Sequence, residues 1–389
     1  MPSDAQDPYL VPDDLIPDNF LNRHRFPATY NPDFLVLGER AGSPEVQAVN
    51  DFLAERGFAG RLELPATAGG VVPVAAVTGT DAKEIYDVVR AARNNDARLP
   101  QLDLNYRHQR TTYERGYFDT VEEMRAAGRV WGHGFGYLPA ASSDVPPAPP
   151  WRQPMAGRRP VIAVLDSGID VTNPWFPADD FLIECWDPPT PVRVVAPADF
   201  RFAEVEASHA TFIAGLIRRH APAAQVRSLR IMRTDGGADE TNVVEALDHL
   251  VRLKEYGEPV DVVQMSFGRQ VDKDDDTTLL ERIKELLGKL AGQGVRLVAS
   301  AGNNASEQRC YPAGFAAEGL EIHSVGSGSS EYHHDDFSNH GTWVHDWFDG
   351  KDQIGPLLDH RWGMWSGTSF AVPRCAATLV DAVFPKRPT

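Results

Sequence analysis

The sequence predicts an α/β protein: a doubly wound, mostly parallel sheet over residues 160–389, preceded by a small ferredoxin-like α+β domain over residues 34–107. Three observations carry this. Beyond Pro160, apolar runs of strand length alternate with stretches of helical spacing, and the runs lack the polar alternation of a half-exposed strand. Between 34 and 107 the order reads β-α-β-β-α-β, the arrangement that lays two helices on one face of an antiparallel sheet. Between the two, residues 108–159 replace apolar periodicity with proline, serine and small residues, as in GHGFGYLPAASSDVPPAPPWRQP, and read as a linker.

The elements follow in order. Residues 1–33 are polar, proline-rich and aperiodic, an N-terminal arm. Phe34–Gly38 is a short apolar run, Pro44–Gly57 has helical spacing, Leu62–Leu64 and Val71–Val77 read as strands, Asp81–Asn94 as a helix, and Leu102–Tyr106 alternates. The linker carries one short helical stretch, Thr120–Ala127. In the larger unit, strands are predicted at Val161–Leu165, Val226–Ile231, Val260–Met265, Val295–Ser300 and Ile322–Val325. Helices are predicted at His209–Arg219, Thr241–Glu255, Leu279–Ala291 and from Ser369 to about Phe384.

Composition excludes several classes of function. The 389 residues hold 38 basic and 55 acidic side chains, a net charge of −17, which is the wrong sign for a nucleic-acid binder. No stretch approaches the ~18 to 20 apolar residues of a membrane span, and the start, MPSDAQDPYLVPDD, lacks the basic and apolar regions of a secretory signal. A cytoplasmic chain is therefore expected. Cys185, Cys310 and Cys375 are too few for a disulfide framework and read as free, structural thiols.

In an open parallel sheet, reactive groups gather where strands end and the following helices begin. Asp166 ends the first strand in VIAVLDSGID, His209 opens a helix in SHATFIAGLI, and Ser369 opens another in SGTSFAVPRCAATLV. Each alone has a plain alternative: a turn residue, a structural histidine, a helix cap. Together they supply what a hydroxyl nucleophile needs, a base to take its proton and a carboxylate to orient that base. The order Asp, His, Ser and the local sequences DSGID, SHATFIAG and GTSFAVP resemble those of the subtilases, the subtilisin-like serine proteases.

The resemblance extends from Pro160 to Phe384 and implies a subtilisin-like fold and site. Asn303 in VRLVASAGNNA stands where the family holds its oxyanion asparagine, with the Ser369 backbone N–H as partner donor. VVQMSFG resembles the edge that pairs with substrate as an added strand, which implies substrate-binding roles for Met265, Ser266, Phe267 and Gly268, with Gly302 lining the same pocket. CYPAGF, SVGSG and FSNHG follow in family order. Ala210, Phe212, Phe370 and Arg374 depart from the family's motifs without removing a reacting atom, and Phe212 and Phe370 are expected to crowd the walls beside the triad.

No cofactor is required and no metal site is expected. His333, His334, Asp335 and Asp336 are adjacent on a loop without the fixed face that ligands need, and DKDDD at 272–276 reads as an exposed acidic run. Trp343, Trp347, Trp362 and Trp365 either pack under a long loop or rim the substrate site. The expected partners are a protein or peptide substrate and the chain's own N-terminal domain in cis, the latter as a restraint occupying the groove beyond Tyr106, with no nucleic acid and no membrane. Two further readings remain open: a peptide-maturation protease that transfers its acyl group to an amine, and a non-hydrolytic peptide-binding module.

Overall fold

The structure, a computed structural model, describes residues 30–37, 43–64, 74–93, 96, 98–110, 138–139, 145–147, 157–176, 181–188, 207–232, 236–271, 275 and 277–383. The expected helix at 120–127, the arm up to residue 29 and most of the acidic run at 272–276 lie outside these residues.

The first elements are β1 (Tyr30–Leu37), α1 (Ser43–Glu55), β2 (Arg61–Glu63), β3 (Val74–Thr78), α2 (Ala82–Arg93) and β4 (Leu102–Arg110). The four strands pair antiparallel in the order β4-β1-β3-β2. Leu35, Leu37, Phe52, Leu53, Ile85, Val89, Leu102 and Leu104 form a core of their own between this sheet and the two helices. Helix α2 shows why the pattern was readable, since its buried Ala82, Ile85, Tyr86 and Val89 recur at helical spacing. Strand β4 runs on past Tyr106 to Arg110, beyond the length its alternation predicts.

The second part begins with β5 (Leu138–Pro139), β6 (Val161–Asp166) and β7 (Leu182–Trp186), then α3 (His209–His220), β8 (Gln225–Arg230), β9 (Gly237–Asp239), α4 (Glu240–Glu255), β10 (Val262–Met265) and β11 (Phe267–Gln270). It continues with α5 (Thr278–Gly292), β12 (Arg296–Ser300), β13 (Cys310–Tyr311), β14 (Ile322–Ser330), β15 (His333–His334), β16 (Asp346–Phe348), β17 (Gln353–Pro356), β18 (Trp362–Trp365) and α6 (Thr368–Val383). Eight strands make the main sheet, in the order β15-β14-β12-β10-β6-β8-β7 with β16 beside β14, and every pairing is parallel except β14 with β15.

Successive residues of a strand face opposite sides, and β6 shows what that does here. Ala163 and Leu165 join the core under α4 and α5, while Ile162 and Val164 join the core under α3 and α6. Both faces are covered, so the sheet is doubly wound and its strands have no polar side. The chain leaves β6 for β8 on one flank and returns to β10 on the other. That reversal opens a crevice at the carboxyl ends of β6 and β10, where Asp166 and the Met265–Ser266 step lie.

Candidate active site

Asp166 is the last residue of β6 and His209 the first of α3, and both are buried. His209 Nδ1 donates to the Asp166 carboxylate, 2.8 Å from Oδ1 and 2.9 Å from Oδ2. An N–H on Nδ1 leaves Nε2 of a neutral ring as an acceptor. Nε2 is buried and, among the described residues, makes no hydrogen bond. Ser167 braces the pair: its backbone N–H donates to Asp166 Oδ1 at 2.7 Å, and its hydroxyl accepts from the Ala210 N–H at 3.1 Å. That second bond satisfies one of the free N–H groups at the start of α3 and fixes the helix relative to the strand.

Ser369 is the second residue of α6 and is fully buried. Its hydroxyl donates to the Ser266 carbonyl at 3.1 Å, and the Ser266 hydroxyl donates back to the Ser369 carbonyl at 3.0 Å. The return bond has a local cause. Pro373 lies four residues after Ser369 inside the helix and has no N–H, so the Ser369 carbonyl lacks its usual helical partner.

Asn303 follows Gly302 just past β12. Its Oδ1 accepts from both the backbone N–H and the hydroxyl of Thr368, at 2.9 and 2.8 Å. Since a backbone N–H can only donate, this fixes which end of the amide is oxygen. Nδ2 is left as a buried donor with no hydrogen-bond partner among the described residues. The Asn303 loop is itself held by Asn339, fully buried, whose Nδ2 donates to the Ala301 carbonyl at 2.8 Å and whose Oδ1 accepts from the N–H groups of Asn304 and Ser306 at 2.9 and 3.2 Å. Gly302 has φ +102°, and a Cβ there would meet Asn339 Nδ2 at 2.6 Å, so the position demands glycine.

Aromatic rings enclose the imidazole. Trp365 stands edge-on to His209 at 5.8 Å between centroids, Phe370 lies at 5.7 Å, and Phe212 packs on Phe370 at 4.6 Å. The other tryptophans pack elsewhere: Trp362 against Trp175, Trp347 beside His334, and Trp343 with its indole N–H on the Glu307 carbonyl.

The residues expected to bind substrate divide. Met265 is the last residue of β10, where its backbone pairs with Leu165 and Ala299 inside the main sheet. Ser266 breaks the strand, and Phe267 and Gly268 begin β11, which leaves that sheet. β11 pairs antiparallel with β4, Phe267 with Arg110 and Gly268 with Gln109, and β4 also pairs with β9 through Arg107, His108 and Gln109. The end of β4 thus lies between two strands of the larger unit. Those flanks are tied to each other by Arg269 of β11 and Glu240 at the start of α4, a buried ion pair at 2.8 Å.

Among the described residues, one group has the make-up of metal ligands: His323, Asp346 and the buried Cys375, with their ligand atoms all within 4.8 Å. His323 Nδ1 bonds the Asp346 carboxylate at 2.8 Å, and burial raises the Cys375 thiol well above its ordinary range. The three cysteines are free.

Ser167, Thr368 and Asn339 were not singled out from the sequence. Each nevertheless lies in a motif that was, Ser167 in DSGID, Thr368 in GTSFAVP and Asn339 in FSNHG.

The buried Asp166–His209 pair is compatible with the carboxylate–imidazole part of a serine protease's triad. Residues 157–383 match the subtilase family, and the chain belongs to that family. It is similar to the "Thermophilic serine proteinase" of Bacillus sp. (strain AK1), 29% identical over 226 residues that make up 55% of this chain and 50% of that protein. It is also similar to the "Major intracellular serine protease" of Bacillus subtilis (strain 168), 23% identical over 59% of this chain and 70% of the relative. A solved structure of the protease domain of PatA, in mutant form, is 21% identical over 59% of this chain and 84% of that one, with a TM-score of 0.46. The match thus spans half the length of the first of these relatives.

Proposed function

We propose that the chain is a serine endopeptidase acting on protein or peptide substrates through Ser369, His209 and Asp166, with Asn303 and the Ser369 N–H as the oxyanion site. The observation that carries this is the buried Asp166–His209 bond, which leaves Nε2 unbonded among the described residues. Turning the Ser369 hydroxyl from the Ser266 carbonyl toward Nε2 completes the relay. Nε2 then takes the hydroxyl proton as Oγ attacks the scissile carbonyl, and Asp166 stabilises the imidazolium that forms. The carbonyl oxygen gains charge, which Asn303 Nδ2 and the N–H at the positive end of α6 receive. Nε2 returns the proton to the leaving amine, and water repeats the sequence on the acyl-enzyme.

We further infer that residues 34–107 form a ferredoxin-like domain that restrains the site in cis. Its support is the pairing of β4 with β9 and β11, since an extended substrate would use the same backbone groups. A tethered strand acts at an effective concentration of ~mM for a short flexible link. The free thiols and the intracellular name of one relative favour a cytoplasmic setting. Among the described residues no helix is long and apolar enough to cross a membrane.

The test is a fluorophosphonate probe on the purified chain, with Ser369→Ala as control and intact mass recorded for self-cleavage past β4. Labelling that the control abolishes supports the reading; labelling that survives in Ser369→Ala refutes the assignment of the nucleophile.

A further inference from the structure

Three side chains of metal-binding type meet between the edge of the main sheet and α6. The ligand atoms of His323 on β14, Asp346 at the start of β16 and Cys375 in α6 all lie within 4.8 Å of one another. The sheet brings the first two together: β16 runs parallel to β14 with Asp346 opposite Val325, which shares a face of the strand with His323 two residues before it. That face looks onto α6, since Val325 and Cys375 belong to one core. His323 and Asp346 are each 30% exposed, whereas Cys375 is 2% exposed, so the group is open to solvent on one side and closed by apolar packing on the other. Burial first and the Asp346 carboxylate second raise the thiol above its ordinary range, so without an ion it keeps its proton.

We propose that His323, Asp346 and Cys375 bind one zinc ion, with water in the fourth position. The donors select the ion: thiolate, imidazole and carboxylate together suit Zn²⁺, whereas Ca²⁺ and Mg²⁺ take oxygen ligands. A tetrahedral Zn²⁺ with bonds of ~2.0 to 2.3 Å sets its ligands ~3.3 to 3.7 Å apart. Separations of up to 4.8 Å must therefore close by ~1 Å, and the 2.8 Å His323–Asp346 contact must open by ~0.5 Å. Rotation of the two partly exposed side chains supplies both movements. Binding releases the thiol proton to water, because a coordinating thiol is deprotonated, and a ring bound through Nδ1 carries its proton on Nε2. Cys375 lies six residues past Ser369, so the ion ties the helix that begins at the proposed nucleophile to β14 and β16.

Full-length protein freed of metal with a chelator should bind one Co²⁺, a spectroscopic stand-in for Zn²⁺, with a thiolate-to-metal charge-transfer band that added Zn²⁺ removes. Cys375→Ser should lose the band, and Cys185→Ser, which removes the exposed thiol, should keep it. His323→Ala and Asp346→Asn should each weaken Zn²⁺ binding at least ~10-fold, read by competition with a chromophoric chelator. Zn²⁺ should also raise the melting temperature of the parent protein more than that of these two variants, because an ion that binds only the folded state stabilises it. If Cys375→Ser does not fold, the variants at the two partly exposed positions carry the test. A parent protein without the Co²⁺ band, a band that persists in Cys375→Ser, or a Zn²⁺ affinity unchanged in both His323→Ala and Asp346→Asn overturns the site. These measurements read the bound metal alone, so their outcome does not depend on whether the chain cleaves peptides.

Discussion

Replacing Asn339 with alanine tests whether Asn303, the proposed oxyanion donor, depends on a brace outside its own loop. The change removes three side-chain hydrogen bonds: to the Ala301 carbonyl and from the Asn304 and Ser306 N–H groups. Each is worth ~1 kcal/mol net, and a buried group left unpaired costs ~1 to 3 kcal/mol. Ala301 is buried, whereas Asn304 is exposed and Ser306 half-buried, so water can recover the two N–H groups more easily than the carbonyl. A loss of about 2 to 3 kcal/mol in stability follows. Catalysis suffers separately, because Asn303 sits between the released anchor points. Removing an oxyanion donor altogether costs ~10²- to 10³-fold in turnover, which bounds the effect from above. We expect kcat to fall ~10- to 100-fold with KM changed little, since the donor acts mainly on the transition state. Peptidase kinetics and denaturant melts on Asn339→Ala, Asn303→Ala and the double variant provide the assay. If Asn339 works through Asn303, the double variant is no slower than Asn303→Ala alone. Additive losses in kcat, or a lower stability with kcat unchanged, would refute the reasoning and leave Asn339 a purely structural residue.

Three further outcomes are expected. Gly302→Ala should lower both stability and turnover, because its positive φ and the Asn339 Nδ2 atom 2.6 Å from the added Cβ leave the methyl group no room; a variant with parental melting temperature and kcat would contradict this. At pH 8 a thiol reagent should label exposed Cys185 in the folded protein and reach Cys310 and Cys375 only after denaturation, as read by peptide mass. The same burial predicts a pH effect on stability. Both buried thiols have folded values raised above that of an unfolded cysteine, ~8.5, so the folded state holds protons that the unfolded state releases as pH rises. Their contribution is whole below ~8.5 and is lost above it by ~1.4 kcal/mol per pH unit per thiol, until the folded value is reached. Denaturant midpoints measured from pH 8 to 10 should fall accordingly, and less in Cys375→Ala.

Asp166, His209, Ser369 and Asn303, the proposed site residues, stand out in the sequence because each interrupts an apolar run at the point where a buried strand ends or a packed helix starts. Such a position has few bland explanations once four of them occur in one chain. The main-sheet strands were readable for the same reason, being buried on both faces. Strand β7 was missed: its residues alternate between half-buried and exposed, and LIECWDP has neither a continuous apolar run nor a turn signal ahead of it. The short strands β15 to β18 were also missed, since strands of two to four residues carry no period.

Ser266 marks the limit of local reading. VVQMSFG reads as one edge segment, yet the chain changes sheets at its middle: Val262–Met265 belongs to the main sheet and Phe267–Gln270 to the strands around β4. No propensity of serine dictates that turn. It meets a partner a hundred residues away in sequence: the Ser266 hydroxyl donates to the Ser369 carbonyl at 3.0 Å, and Pro373 has no N–H to offer that carbonyl. The Ser266 carbonyl in turn holds the Ser369 hydroxyl at 3.1 Å. These two bonds link Ser369 at the start of α6 to the residue just before the strand that pairs with β4.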